Sequence, residues 1–194
     1  KLENDEVYIL GNPPYLGCRM QDDIQKSDLK YVLSPYLKTT KVDYITCWFI
    51  KASEYIKRFN GKYSFVSTNS ISQGEQALML WDHILSVELE IDFAYKSFKW
   101  QNNAKGNAGV IVVIIGIRNK GSKPKFIFSN QNKILAKNIN SYLVDSANIS
   151  ISKRSKALSF PFKMQLGNMP LDGGNLILSE NEYETFLSQH PKSK

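Results

Sequence analysis

The chain has 194 residues, 42% hydrophobic and 22% charged, with a net charge of +7. This composition excludes wholesale disorder, collagen and coiled coil, and the length suits one real core or one domain plus part of another. The longest unbroken apolar run, Val110–Ile115, is far short of the roughly 20 residues of a membrane helix, so no membrane partner is expected. Two cysteines, Cys18 and Cys47, are too few for a disulfide framework and point to a reducing compartment, the cytoplasm. Two histidines, His83 and His190, leave little material for a His-based metal site or a Ser–His–Asp triad.

The elements follow in chain order. Val7–Leu10 is a short apolar run stopped by Gly11-Asn12-Pro13-Pro14, as in a buried strand that ends in a loop. Residues 16–41 read as polar and irregular, with Pro35 as a break. Asp43 stands before Ile45, Trp48, Phe49, Ala52, Tyr55, Ile56 and Phe59, an apolar face at helical spacing closed by Gly61. That spacing places Trp48 and Tyr55 in the core. Lys62–Thr68 reads as a strand. Ser72 and Glu75 form a capping box for a helix with Leu78, Trp81, Ile84 and Leu85 on one face, Trp81 again being core. Leu89–Phe98 and Val110–Ile117 read as strands around a polar hairpin loop, and Lys125–Phe128 as one more. The pattern weakens after Asn130. Ser179 and Glu182 make a second capping box before a short helix. Alternating strands and helices predict parallel strands, and a short loop predicts an antiparallel hairpin. The fold class is therefore α/β with a sheet that ends in an antiparallel hairpin.

The positive charge is local. Residues 1–117 carry thirteen Lys/Arg against thirteen Asp/Glu, residues 118–165 ten against one, and residues 166–194 two against four. The basic stretch is either a solvated Lys-rich surface or a surface for phosphates.

Asn12-Pro13-Pro14-Tyr15 is the sharpest local feature. It follows a strand directly, where open α/β sheets bind ligands. Pro13 and Pro14 fix φ and lack N–H donors, so a stiff turn presents carbonyl oxygens. An amide oxygen and a backbone carbonyl beside the flat ring of Tyr15 suit a planar group bearing an NH₂. A nucleobase amine is such a group, and it reaches the pocket only when flipped out of a duplex. A plain Pro-Pro turn closed by a packed Tyr fits the same residues.

Gly11-Asn12-Pro13-Pro14-Tyr15 resembles the NPPY motif of S-adenosylmethionine-dependent amino-methyltransferases, mainly adenine-specific DNA methyltransferases. Phe65–Gln76 resembles the next strand and helix of the MmeI-like group, which fuses modification with restriction. Phe98-Lys99-Trp100 through Val112–Gly116 resembles their closing hairpin. Gly167-Asn168-Met169-Pro170-Leu171-Asp172-Gly173-Gly174-Asn175-Leu176 resembles the start of their target-recognition region.

The resemblance implies a partial Rossmann-like class I methyltransferase sheet, its second half, with the start of a second, target-recognition region. Residues 1–130 would be the C-terminal half of the catalytic domain. Residues 131–165 would be a basic connecting segment, and 166–194 the incomplete start of target recognition. The implied activity is methyl transfer from S-adenosylmethionine to the amino group of a flipped adenine in double-stranded DNA, within a restriction-modification enzyme. Asn12 and Pro13 would hold the amine on the turn that Pro14 stiffens, and Tyr15 would stack on the ring. Phe98, then Trp100, would back the same base. Lys123, Lys125, Lys153, Arg154 and Lys156 would face the DNA backbone. No metal is needed, and both cysteines read as small apolar residues rather than nucleophiles. No G-x-G occurs anywhere, and Gly106/Gly109 lies in the hairpin loop. The cofactor half is therefore expected in a missing N-terminal part of the same polypeptide, with Asn12 bordering the cofactor and this piece inactive alone. The other readings are a protein-glutamine or RNA amino-methyltransferase, and a non-catalytic nucleic-acid-binding module.

Overall fold

Val7–Gly11 forms strand β1, which stops where Pro13 and Pro14 remove two backbone donors. The computed structural model describes residues 6–37, 41–85, 88–100, 110–129, 132–149 and 177–191. The chain divides into two units, Lys1–Lys153 and Arg154–Lys194.

In the first unit β1 is followed by α1 (Asp23–Leu33), α2 (Thr46–Ile56) and β2 (Gly61–Thr68). A 3₁₀ turn at Asn69–Ser72 leads to α3 (Gly74–Ile84). Then come β3 (Leu89–Trp100), β4 (Val110–Asn119), β5 (Lys125–Ser129) and β6 (Asn132–Ala136). The strands form one sheet in the order β1-β2-β4-β3-β5-β6. β1 and β2 are parallel, as a helical crossover requires. The β3–β4 hairpin is antiparallel and places β4 between β2 and β3. The expected α/β sheet with its antiparallel hairpin is present, enlarged by helix α1 and edge strand β6.

Strand alternation sorts the residues. Tyr63 and Phe65 of β2, paired with Ile117 and Ile115 of β4, join the core with Leu29, Leu33, Phe49, Ile50, Leu80, Trp81 and Ile84 of the helices. Phe49 sits edge-on to Tyr63, Phe65 and Trp81, with centroids 5.8, 5.4 and 5.8 Å away. Such pairs add about 0.5–1.5 kcal/mol each beyond area burial. Trp81 Nε1 donates to the Ile71 carbonyl at 2.8 Å, which ties α3 to the turn after β2.

Several expectations need correction. Trp48 and Tyr55 are 44% and 40% exposed, not core. Thr46 and Ser53 take inward positions on α2, and Ser53 hydrogen-bonds the Tyr63 hydroxyl at 2.8 Å. That phase turns Trp48, Lys51 and Tyr55 outward. Gly61 does not close α2; the helix ends at Ile56, and Gly61 opens β2. A Cβ at Gly61 would come within 2.9 Å of Ile56 Cγ2. Ser72 does not cap α3. Its hydroxyl donates to the Asn69 carbonyl within the 3₁₀ turn, and Gln73 stands at the N-cap. The second unit contains α4 (Glu180–Gln189), where Glu182 accepts from the Ser179 N–H at 2.8 Å, as the capping box predicts, and also from the Ser179 hydroxyl at 2.6 Å.

Gly116 is a packing glycine. It pairs with Phe93 across β4 and β3, and a Cβ there would lie 2.2 Å from Phe93 Cε1. Gly116→Ala is expected to force that ring aside at a cost of about 1–3 kcal/mol. A urea melt showing no loss of stability would refute this.

Candidate active site

The Asn12–Tyr15 segment sits at the C-terminal end of β1. Asn12 is exposed, and its side chain makes no hydrogen bond among the described residues. Pro13 is buried, Pro14 exposed, and Tyr15 half-buried against the core. The segment is anchored on one side by the pairing of Gly11 with Phe65. On the other side the Leu16 N–H donates to Asp43 at 2.9 Å, and the Leu16 carbonyl accepts from Gln21 Nε2 at 2.7 Å. An amide side chain therefore projects from a stiff support with its acceptor available. Sequence reasoning missed Asp43 and Gln21 as parts of this support. Asp43 stood out only as a helix start, and Gln21 lay in a stretch read as irregular.

The same end of the sheet carries the C-terminus of β3. Thr68 pairs with Val112, and Trp100 with Val110, so the ends of β1, β2 and β3 lie along one sheet edge. Two irregularities in β3 set its side-chain directions. Between Tyr95 and Phe98 three steps on β3 oppose two on β4, from Ile114 to Val112. This bulge puts Phe98 on the same face as Tyr95, where simple alternation would oppose them. The rings lie 6.4 Å apart, edge to face. Trp100 lies 6.4 Å beyond Phe98, and both are half-buried. β2 and β4 stand between β1 and β3, so interstrand spacing alone separates Asn12 from Phe98 by about 14 Å.

Elsewhere the predicted residues have varied surroundings. Lys123 is exposed. Lys125 is committed inside the fold: its ammonium lies 2.9 Å from Glu90 Oε2 and donates to the Lys137 carbonyl at 3.2 Å. Lys153, Arg154 and Lys156 lie outside the described residues, as does the Gly106/Gly109 loop. Cys47 is buried, and burial pushes its thiol up to about 11, so it stays protonated at neutral pH. Cys18 is half-buried. Among the described residues no group of three His, Cys, Asp or Glu side chains could hold a metal ion, and no helix is long and apolar enough to cross a membrane. An open hollow of about 680 Å³ lies between α1 and α2, away from these residues, lined by Tyr31, Tyr36, Lys51, Tyr55, Arg58 and Phe59 among others.

The sequence also matches known proteins over almost its whole length. The model of the MmeI DNA-methyltransferase domain matches residues 1–129, and that of the MmeI target recognition domain matches residues 145–194. DNA methyltransferase A of Bacillus subtilis (strain 168) is 44% identical over 190 residues, 97% of this chain and 22% of that protein. The structure of the Type IIL restriction-modification enzyme MmeI in complex with DNA aligns over 97% of this chain and 26% of that one, with a TM-score of 0.81 and 38% identity. The chain thus spans about a quarter of the length of these relatives. With the sheet order, the motif at the end of β1 and these matches together, the chain belongs to the MmeI family of DNA-methyltransferase domains.

Proposed function

We propose that this chain is the second half of the catalytic sheet of an adenine-specific DNA methyltransferase within a restriction-modification enzyme. Residues 1–130 form that half in this reading. Residues 131–165 are a basic connection that first adds β6 to the sheet, and residues 166–194 begin target recognition. One observation carries the proposal: Asn12 projects, exposed and without a hydrogen bond among the described residues, from a donor-poor turn at the C-terminal edge of the sheet. Membership of a DNA-methyltransferase family supports it.

The chemistry follows from that geometry. A flipped adenine presents its N6 amine to the Asn12 amide oxygen and the Pro13 carbonyl oxygen. Its lone pair is normally delocalised into the ring. Two acceptors on the two amine hydrogens draw the nitrogen toward tetrahedral geometry and expose the lone pair. The same oxygens stabilise the positive charge that grows on nitrogen as the methyl arrives, and a proton then leaves to water. Pro14 stiffens the turn, and Tyr15 supplies a stacking face. S-adenosylmethionine, when bound, supplies the electrophilic methyl on its sulfonium. This chain borders it only near Asn12. With no G-x-G in the sequence, the cofactor is held mainly by the N-terminal part of the same polypeptide. Among the described residues β1 is an outermost strand, and that part would extend the sheet there. Phe98 and Trp100, at the C-terminal end of β3 on the same side of the sheet, are the aromatics this reading assigns to back the base. Lys123, with Lys153, Arg154 and Lys156, faces phosphates.

The test is methyl transfer by the full-length protein to duplex DNA, with digestion to identify the methylated base. N6-methyladenine is expected, and this chain alone is expected to be inactive. Label appearing instead on release-factor glutamine or on ribosomal RNA would overturn the reading. Micromolar cofactor affinity of the chain alone, by calorimetric titration, would overturn the division of the cofactor site.

A further inference from the structure

The Asn12–Tyr15 segment is stiff, with Pro13 buried and Tyr15 packed on the core, but it has no hydrogen bonds of its own among the described residues to fix where it stands. Pro13 and Pro14 have no N–H to donate. Among the described residues neither Asn12 nor Tyr15 makes a hydrogen bond. A loop with so few bonds keeps one geometry only if its two ends are fixed. The entrance is fixed by the register of Gly11 against Phe65 in the sheet. The exit, Leu16, is fixed by side chains from two different segments.

Every polar backbone group of Leu16 is taken. Its N–H donates to Asp43 Oδ1 at 2.9 Å. Its carbonyl accepts from Gln21 Nε2 at 2.7 Å and from the Tyr44 N–H at 3.0 Å. Both side chains are 5% exposed. Each also grips the segment before α2: Asp43 Oδ1 accepts from the Ile45 N–H at 3.1 Å, and Gln21 Nε2 donates to the Val42 carbonyl at 3.0 Å. The two side chains therefore bridge Leu16 to residues 42–45. Those residues lead directly into α2, which packs against β2 and β4. Burying a carboxylate is costly. Burial raises the Asp43 pKa, and the N–H groups of Ile45 and Leu16 act against that rise. Burying an amide with an empty acceptor is also unfavourable, yet Gln21 Oε1 has no partner among the described residues. Both residues sit where an apolar side chain would pack with less penalty.

We infer that Asp43 and Gln21 are positioning residues that lock the exit of the Asn12–Tyr15 segment and so set where the two acceptor oxygens stand. The inference rests on the proposed base site and deepens it. Asp43 and Gln21 touch neither base nor cofactor. They act through Leu16, the residue next to Tyr15. If the lock is removed, the acceptors drift from the amine while the rest of the sheet stays folded. A misplacement of about 1 Å costs on the order of 100-fold in rate.

The experiment uses the full-length protein and compares Asp43→Ala, Asp43→Asn, Gln21→Ala and Asn12→Ala. It measures the single-turnover methyl-transfer rate on duplex DNA, the affinities for S-adenosylmethionine and DNA, and the thermal midpoint. It also follows the fluorescence of 2-aminopurine at the target position. Asp43→Ala is expected to slow transfer on the order of 100-fold, with both affinities unchanged. Flipped 2-aminopurine should be more fluorescent in that variant, because Tyr15 no longer stacks squarely on it. Asp43→Asn keeps an oxygen for the two N–H groups and is expected to recover most of the rate. Gln21→Ala should change rate and fluorescence in the same direction as Asp43→Ala, and it carries the test if Asp43→Ala does not fold. Wild-type rates in both alanine variants beside an inactive Asn12→Ala would overturn the lock and leave the base site standing. So would binding and transfer lost in proportion, or an Asp43→Asn as slow as Asp43→Ala. A fully active Asn12→Ala would overturn the base site, and the lock with it.

Discussion

Asn12→Ala in the full-length protein is expected to lower the methyl-transfer rate about 10²–10³-fold, the usual cost of removing one preorganised polar group from a charge-developing centre. Cofactor affinity and thermal stability should not change. The stability half of the expectation comes from the structure: Asn12 is exposed and unbonded among the described residues, so its truncation falls in the class of surface changes worth about ±0.5 kcal/mol. The rate half comes from the chemistry. Pro13 still offers its carbonyl, but one acceptor alone leaves the amine lone pair conjugated with the ring. Asn12→Asp keeps an oxygen at the same position and should retain more activity than Asn12→Ala. The measurements are single-turnover transfer to duplex DNA and calorimetric titration of the cofactor. Equal loss of transfer and cofactor binding would assign Asn12 a folding role and remove the base site.

The motif was legible because it depends on residue type and not on context. Asn-Pro-Pro-Tyr after an apolar run imposes its own turn. The strands β2 and β4 were legible for a similar reason: their β-branched and aromatic runs fit a buried sheet whatever surrounds them. What escaped was structure held by polar side chains. Helix α1 buries Leu29 and Leu33, and its start is an Asp22–Gln25 capping box inside a stretch that looked irregular. Residues 137–146 have no apolar period, yet they are closely bonded. Asp145 accepts from the Lys137 and Asn138 N–H groups, and Asn140 from those of Tyr142 and Val144. The outward turn of Trp48 was equally invisible, since nothing local says that Ser53 will face Tyr63. The candidate site shows the same division. Asn12 and Tyr15 could be named from the sequence. Asp43 and Gln21 could not, because their role exists only once residues 16 and 43 are side by side.

The basic stretch was legible as charge but not as position. Arg118 opens that stretch, and its side chain is buried in the fold. Its guanidinium donates from Nε to Glu90 Oε1 at 2.8 Å and also bonds Asp92 and the carbonyls of Lys123 and Pro124. Lys125 holds the other Glu90 oxygen at 2.9 Å, and Lys62 reaches Asp92 at 3.1 Å. Lys133 lies 3.9 Å from the centre of the Phe126 ring. Arg118 and Lys125 are structural in this fold, and the supply of phosphate-facing charge in the stretch is correspondingly smaller. The network also fixes the turn between β4 and β5, since Gly121 N–H donates to Glu90 as well.

Arg118→Ala is therefore expected to destabilise the sheet by about 3 kcal/mol, because buried Glu90 and half-buried Asp92 keep only Lys125 and Lys62 as partners. The pH dependence has a definite sign. Burial pushes the Glu90 carboxyl up, but Lys125 and Arg118 outweigh it, and its pKa ends below the ordinary value. A carboxylate with a depressed folded-state pKa stabilises above its unfolded pKa, and that contribution is lost as pH falls through the folded one. The gap between wild type and Arg118→Ala should thus be widest near neutrality and close in acid, below the ordinary carboxylate range. Urea denaturation at neutral and acid pH reads both quantities. A loss under about 1 kcal/mol at neutral pH, or a gap that does not depend on pH, would mean that the cluster is solvated like any surface pair.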